Sequence, residues 1–96
     1  MIAIYIILVY DISMETSEGS RVSRNVFKIC KKYLTHIQKS VFEGELTEVL
    51  LEKLRLELKV WIRDDVDSLI VFVNPQSKKL QKYFWGMEDE KTLNFF

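Results

Sequence analysis

Residues 2–10 read IAIYIILVY, and Asp11 follows at once. Ile, Val, Leu and Tyr dominate the run, so alternate side chains on both faces of an extended strand are apolar. Such a strand belongs in the middle of a sheet, covered on each side by helices or by a partner. The run is about half of the ~20 residues that a helix needs to cross a bilayer. It has no basic segment before it and no small-residue cleavage site after it, so it does not read as a secretion signal. The expected location is the cytoplasm, with no membrane partner.

Downstream of Asp11, residues 11–20 (DISMETSEGS) read as a polar loop, with Ser20 or Ser17 as candidate caps for a helix over residues 18–34. Val22, Val26, Ile29, Cys30 and Tyr33 recur at helical spacing on one face, and Arg21, Arg24, Lys28 and Lys31 on another, with Lys32 beside them. Residues 35–46 (THIQKSVFEGEL) have strand composition and read as two short strands meeting near residues 39–41. Thr47 is a cap for a second helix, and Glu48 lies at that helix's positive end. Its apolar face is Leu50, Leu51, Leu54, Leu58, Trp61 and Ile62. A charged turn over residues 63–67 leads to the apolar strand SLIVFV at 68–73, which Asn74-Pro75 ends. Tyr83-Phe84-Trp85 suggests a further short strand, and MEDEKTLNFF closes the chain with an acidic run and two Phe residues.

The element order is strand, helix, strand, strand, helix, strand. It predicts a single α+β domain over residues 1–96, with an antiparallel four-stranded sheet and both helices on one face. The other face would stay open although its strands are apolar, and a second copy of the chain is the simplest cover. The single cysteine, Cys30, excludes an internal disulfide framework, a four-cysteine zinc site and a cysteine-ligated iron–sulfur cluster.

Fourteen basic residues balance fourteen acidic ones, but the charges are segregated along the chain. The stripe Arg21, Arg24, Lys28, Lys31, Lys32 contains no acid. It is either a solvated helix face or a match to a phosphate backbone along roughly 15 Å of helix, read without base specificity. Asp11 ends a central strand at the rim of the sheet. Its carboxylate either caps the next loop or, if a two-fold axis passes close by, meets its own copy. Two such carboxylates repel, so they raise a pKa or recruit a cation, and Mg²⁺ or Mn²⁺ bridging them suits phosphodiester chemistry. Ser40 has no His-Asp pattern to make it a nucleophile, and it reads as a turn residue. His36, Cys30 and Trp61 read as structural, whereas Trp85, Phe95 and Phe96 read as interface anchors. The base-stacking signature of RNA-recognition modules is absent from SVFEGEL.

VYDIS after the first strand, a basic first helix, QKSVFEGEL, an amphipathic second helix and SLIVFV occur in one register. Together they resemble the small CRISPR-associated protein number two, an endoribonuclease family of spacer acquisition. The resemblance implies a ferredoxin-like βαββαβ homodimer in which an additional C-terminal strand, from about residue 76 to 96, packs on the partner protomer. It implies that Asp11 is the catalytic metal ligand, for Mg²⁺ or Mn²⁺, at the dimer seam. It assigns a nucleic-acid role to Arg21 and Arg24, and with them Lys28 of the same stripe, and it places Tyr10, Ser40 and Phe42 in support of the seam. Many family members carry a Gly before the second strand where this chain has Tyr33-Leu34-Thr35. Three functions stay open. One is a metal-dependent endonuclease on RNA or DNA. Another is a non-catalytic adaptor that binds prespacer DNA and bridges dimers of the CRISPR integrase. The third, free of the resemblance, is a ferredoxin-like regulatory ligand-binding domain.

Overall fold

A computed structural model describes residues 2–87. Its elements are β1 (Ala3–Asp11), α1 (Gly19–Tyr33), β2 (Thr35–Gln38), β3 (Val41–Thr47), α2 (Glu48–Lys59) and β4 (Ser68–Asn74). The strands form one sheet in the order β2-β3-β1-β4, and every neighbouring pair is antiparallel. The split βαββαβ order and the central place of the first strand are therefore as expected.

The pleat sorts β1 into two faces. Ile4, Ile6, Leu8 and Tyr10 are buried under the helices, where Val22, Val26 and Cys30 of α1 and Leu54 and Leu58 of α2 meet them. Register puts Leu8 opposite Phe42 and Val71, and all three point to this core. Burial pushes the Cys30 thiol up to about 12, which fits an apolar site and no redox role. The alternate residues Tyr5, Ile7, Val9 and Asp11 point to the open face, level with Asn74, Phe72, Ile70 and Ser68 of β4. Ile70 and Phe72 are 53% and 57% exposed there, so an apolar sheet face is left without a helix. Glu43 is buried on the same face, accepting from Tyr5 Oη and from Lys82 Nζ of the segment after β4.

Thr47 caps α2 as read from sequence, its hydroxyl accepting from Leu50 N at 3.2 Å. The cap of α1 differs from expectation. Neither Ser17 nor Ser20 fills it; the cap is Glu18, with no side-chain bond, and main-chain bonds from Gly19 N to Thr16 O and from Val22 N to Glu18 O take over. The reason is a close approach, because a Cβ on Gly19 would lie 2.4 Å from Ser13 O and 2.9 Å from Met14 Cα. The loop backbone presses on the first helical turn, and only glycine admits it. Leu50, read as part of the apolar face of α2, is 37% exposed; Leu54 and Leu58 carry the burial instead.

Residues 83–85 form no strand, and no strand follows Asn74 among the described residues. That segment crosses the open face by side chains, through Lys82 on Glu43, without joining a backbone ladder. Phe95 and Phe96 lie outside the described residues. Among those described, no helix is long and apolar enough to cross a membrane.

Candidate functional site

Asp11 is the last residue of β1 and is exposed. Past it, three segments line an open, shallow cleft of about 570 Å³. Tyr10, Asp11, Ile12 and Met14 come from the end of β1 and its loop; Ser23, Arg24, Phe27 and Lys28 come from α1; Lys39 and Ser40 come from the β2–β3 turn. The turn is tied to β1 by a bond from Tyr10 N to Ser40 O at 3.2 Å.

Beneath the cleft lies a cluster of aromatic rings. Phe42 has no exposed surface and lies 6.0 Å from Tyr10, 5.5 Å from Phe27 and 4.9 Å from His36, centroid to centroid. His36 is structural, as its sequence context suggests, because Nε2 lies 2.8 Å from Lys39 O and the ring packs against Phe27 and Phe42. Tyr10 and Phe42 face the helices and not the open sheet face, so any support they lend a seam passes through the core below Asp11.

The basic stripe divides into separate environments. Arg24 and Lys28 line the cleft beside Asp11. Arg21 turns to the segment just past α2, with its guanidinium 5.4 Å from the Trp61 ring. Lys31 lies 5.8 Å from the Phe27 centroid. Lys32 pairs with Glu57 of α2, which also accepts from Tyr33 Oη; these bonds hold the Glu57 carboxyl below its usual range. The stripe is free of acids along its own helix, but α2 supplies one across the interface. This corrects the reading of an uncompensated row of five cations.

Arg63 and Asp67 hold the loop after Asp11, a role that residues 63–67 as a charged turn did not reveal. Asp67 has no exposed side-chain surface; it accepts from Ser13 N and Arg63 N at 2.9 Å each and from Arg63 Nε at 2.8 Å. Arg63 Nη2 donates to Ser13 O at 3.0 Å, and Nη1 donates to Thr16 Oγ1. The i, i+4 spacing of Arg63 and Asp67 was the available signal, but nothing local pointed to a loop about fifty residues away. The Arg63 guanidinium, with the two main-chain N–H donors, lowers the Asp67 carboxyl from 3.8 to about 2. A lowered folded value means that this contribution to stability is complete above pH 4 and is lost as pH falls toward 2. Asp67→Asn is expected to lower the thermal midpoint at pH 6 and to flatten its acid dependence between pH 4 and 2, measured by circular dichroism. An unchanged acid limb would remove Asp67 from this role.

Among the described residues, no group of three or more His, Cys, Asp or Glu side chains gathers to hold a metal. One copy of the chain offers the cleft a single carboxylate, that of Asp11.

The chain matches the family described as CRISPR associated protein Cas2 over residues 4–83. It is 48% identical over 91 residues to a protein of Fusobacterium nucleatum named CRISPR-associated endoribonuclease Cas2, covering 95% of this chain and 85% of that one. A Moorella thermoacetica protein named CRISPR-associated endoribonuclease Cas2 2 is 35% identical over 89 residues, covering 93% of this chain and 98% of that one. Among solved structures, a crystal structure of a Cas2 protein superposes with a TM-score of 0.74 at 36% identity, covering 90% of each chain.

Proposed function

This chain belongs to the CRISPR-associated Cas2 family, and from that premise we propose that it is a metal-dependent endonuclease of CRISPR adaptation, acting in the cytoplasm as a homodimer. The observation that carries this reading is the cleft, whose lining includes Asp11 at the end of β1 and Arg24 and Lys28 of α1. Two cations beside one carboxylate suit a phosphodiester. The cations hold the charged oxygens, and the acid marks the place where a bond to phosphorus breaks. The relatives' name, endoribonuclease, supports RNA as a substrate class, with DNA as the alternative.

The homodimer is supported by Asp11 sharing a face with the exposed Ile70 and Phe72. Covering that apolar face with its own copy would bring the two Asp11 rims to the same side of a closed interface. Mg²⁺ is commonly held by one or two carboxylates together with waters and substrate phosphate oxygens. A single Asp11 per protomer fits that donor set, and a second Asp11 completes it. A divalent ion bound there would lower the pKa of a coordinated water and offset charge on phosphate oxygens. Arg24 and Lys28 orient the strand, and Arg63 and Asp67 hold the loop after Asp11 through Ser13.

A second reading has an observation of its own. Asp11 is the one carboxylate among the residues lining the cleft, and no neutral general acid accompanies it. A non-catalytic adaptor that holds prespacer DNA and bridges CRISPR integrase dimers fits such a site, and Trp85 and Met87, 93% and 97% exposed, are apolar surface for a protein partner. The regulatory ligand-binding reading falls away with family membership.

Charge reversal separates the cleft cations from the rest of the stripe. Arg24→Glu with Lys28→Glu is expected to weaken single-stranded RNA binding at least tenfold and to reduce the salt slope by roughly 1.4, for two phosphate contacts. Arg21→Glu, on the Trp61 side, should change binding by less than threefold. Fluorescence anisotropy across a salt series measures both. Equal losses from the two variants would return the argument to a diffuse basic face. Wild-type protein that cleaves neither RNA nor DNA with Mg²⁺ or Mn²⁺ would leave the adaptor reading in place of the enzyme.

A further inference from the structure

We propose that the buried Glu43 carboxylate selects the chain this protein pairs with, accepting Lys82 from a second copy across the open sheet face and rejecting a segment that brings no cation there. The inference rests on the homodimer reading above and adds the pair of residues that decides which two chains can close. Glu43 lies in β3 between Ile7 of β1 and Thr35 of β2, on the face that no helix covers. That face is otherwise suited to apolar contact, with Ile7, Ile70 and Phe72 on it. A buried ion pair adds little net stability over an apolar pair of the same size, but removing one of its partners is costly. Such a pair discriminates between partners more than it stabilises any one of them.

Both Glu43 oxygens are engaged: Tyr5 Oη donates to Oε1 and Lys82 Nζ donates to Oε2. Burial works to raise the Glu43 carboxyl, and the bonds from Lys82 and Tyr5 outweigh it, so the group lies below its usual value and stays ionised. Burial, and then the Glu43 bond, raise the Tyr5 phenol, which keeps its proton to donate. A neutral or acidic residue in place of Lys82 would take from this carboxylate the cation that holds it as the interface closes.

The turn after β4 favours a second copy as the source of Lys82. Within one chain, Lys82 reaches Glu43 through a tight reversal in which Gln76 N bonds Asn74 Oδ1 at 3.1 Å and Ser77 N bonds Asn74 O at 3.2 Å. The reversal holds Ser77 at a φ of 58°, in the left-handed region that favours glycine. It also covers the face poorly, because Ile70, Phe72 and Leu80 each stay more than half exposed. A short strained hinge leading into a segment anchored by side chains is the setting in which two copies exchange that segment, keeping the contacts and releasing the strain. Under two-fold symmetry each chain offers one Glu43 and one Lys82, so exchange forms both pairs together.

The test uses the full chain and follows the dimer dissociation constant by sedimentation. Glu43→Lys and Lys82→Glu are each expected to weaken the dimer on the order of tenfold or more. An equimolar mixture of the two is expected to form a mixed dimer within about threefold of wild type, because each variant supplies the charge that the other lacks. Glu43→Gln and Lys82→Gln are the milder set if circular dichroism shows that charge reversal loses the fold; their mixed dimer keeps one ion pair and one neutral pair. Single variants that dimerise as tightly as wild type would overturn the selection and leave the homodimer standing. A mixture no tighter than the single variants would overturn the exchange; recovery confined to a chain carrying both substitutions would then place the pair within one chain. Wild type that sediments as one chain at micromolar concentration would overturn the homodimer reading and this inference together.

Discussion

Replacing Asp11 with Asn is expected to reduce Mg²⁺- or Mn²⁺-dependent cleavage on the order of 100-fold or more, while the fold, the dimer and RNA affinity persist. The substitution keeps the shape of the side chain and removes its charge. Asp11 is exposed at the end of β1, so no buried bond is broken and folding should not register the change. Removing an anion from a cleft lined by Arg24, Lys28 and Lys39 also removes a repulsion toward phosphate. RNA should therefore bind as tightly as to wild type or slightly more tightly, even as turnover disappears. That split between binding and cleavage distinguishes a residue acting on the reaction from one merely shaping the surface. Cleavage in Asp11→Asn equal to wild type would place the nuclease elsewhere or in a contaminant.

The largest effect on stability is expected at Phe42. It has no exposed surface and packs its ring against Tyr10, Phe27 and His36 while pairing across the sheet with Leu8. Phe42→Ala deletes the ring from a site walled by β1, α1 and β2, whose backbones cannot all close on the void. The cost is about 3–5 kcal/mol. A domain of this size holds about 5–15 kcal/mol in total, so the variant should lose about a fifth or more of its stability in urea unfolding. Because Tyr10, Phe27 and the His36-held turn are the base of the cleft, the same variant should lose nucleic-acid binding along with stability. A loss below about 1.5 kcal/mol would mean that the rings repack, and that Phe42 is less central than its burial indicates.

Both predictions start from residues that stood out in the sequence, but they stood out for different reasons. Asp11 was visible because an acid directly after nine apolar-rich residues must sit at a sheet rim. Phe42 was visible only as part of a family-like run and was assigned to the seam; its burial under the helices follows from β3 pairing Phe42 with Leu8, which places both on one face. A slip of one residue in that register would have reversed the assignment. The strand pair around residue 39 was legible from composition, but the left-handed turn at Lys39 was not, since no Gly or Asn announced it.

From the chain alone came the order of elements, the central place of β1, the cap at Thr47, the core face of α1 with Cys30, and the rim position of Asp11. Each depends on periodicity or on a neighbour within a few residues, and such short-range constraints are written in sequence. The tertiary structure alone decided that Arg24 and Lys28 line one cleft with Asp11 while Arg21 faces Trp61, that Lys32 meets Glu57, and that Arg63 and Asp67 clamp the loop at Ser13. Helical spacing says which residues share a stripe, not how far the helix is rotated against its neighbours. That rotation comes from packing between segments tens of residues apart, and the cleft exists only once they have met.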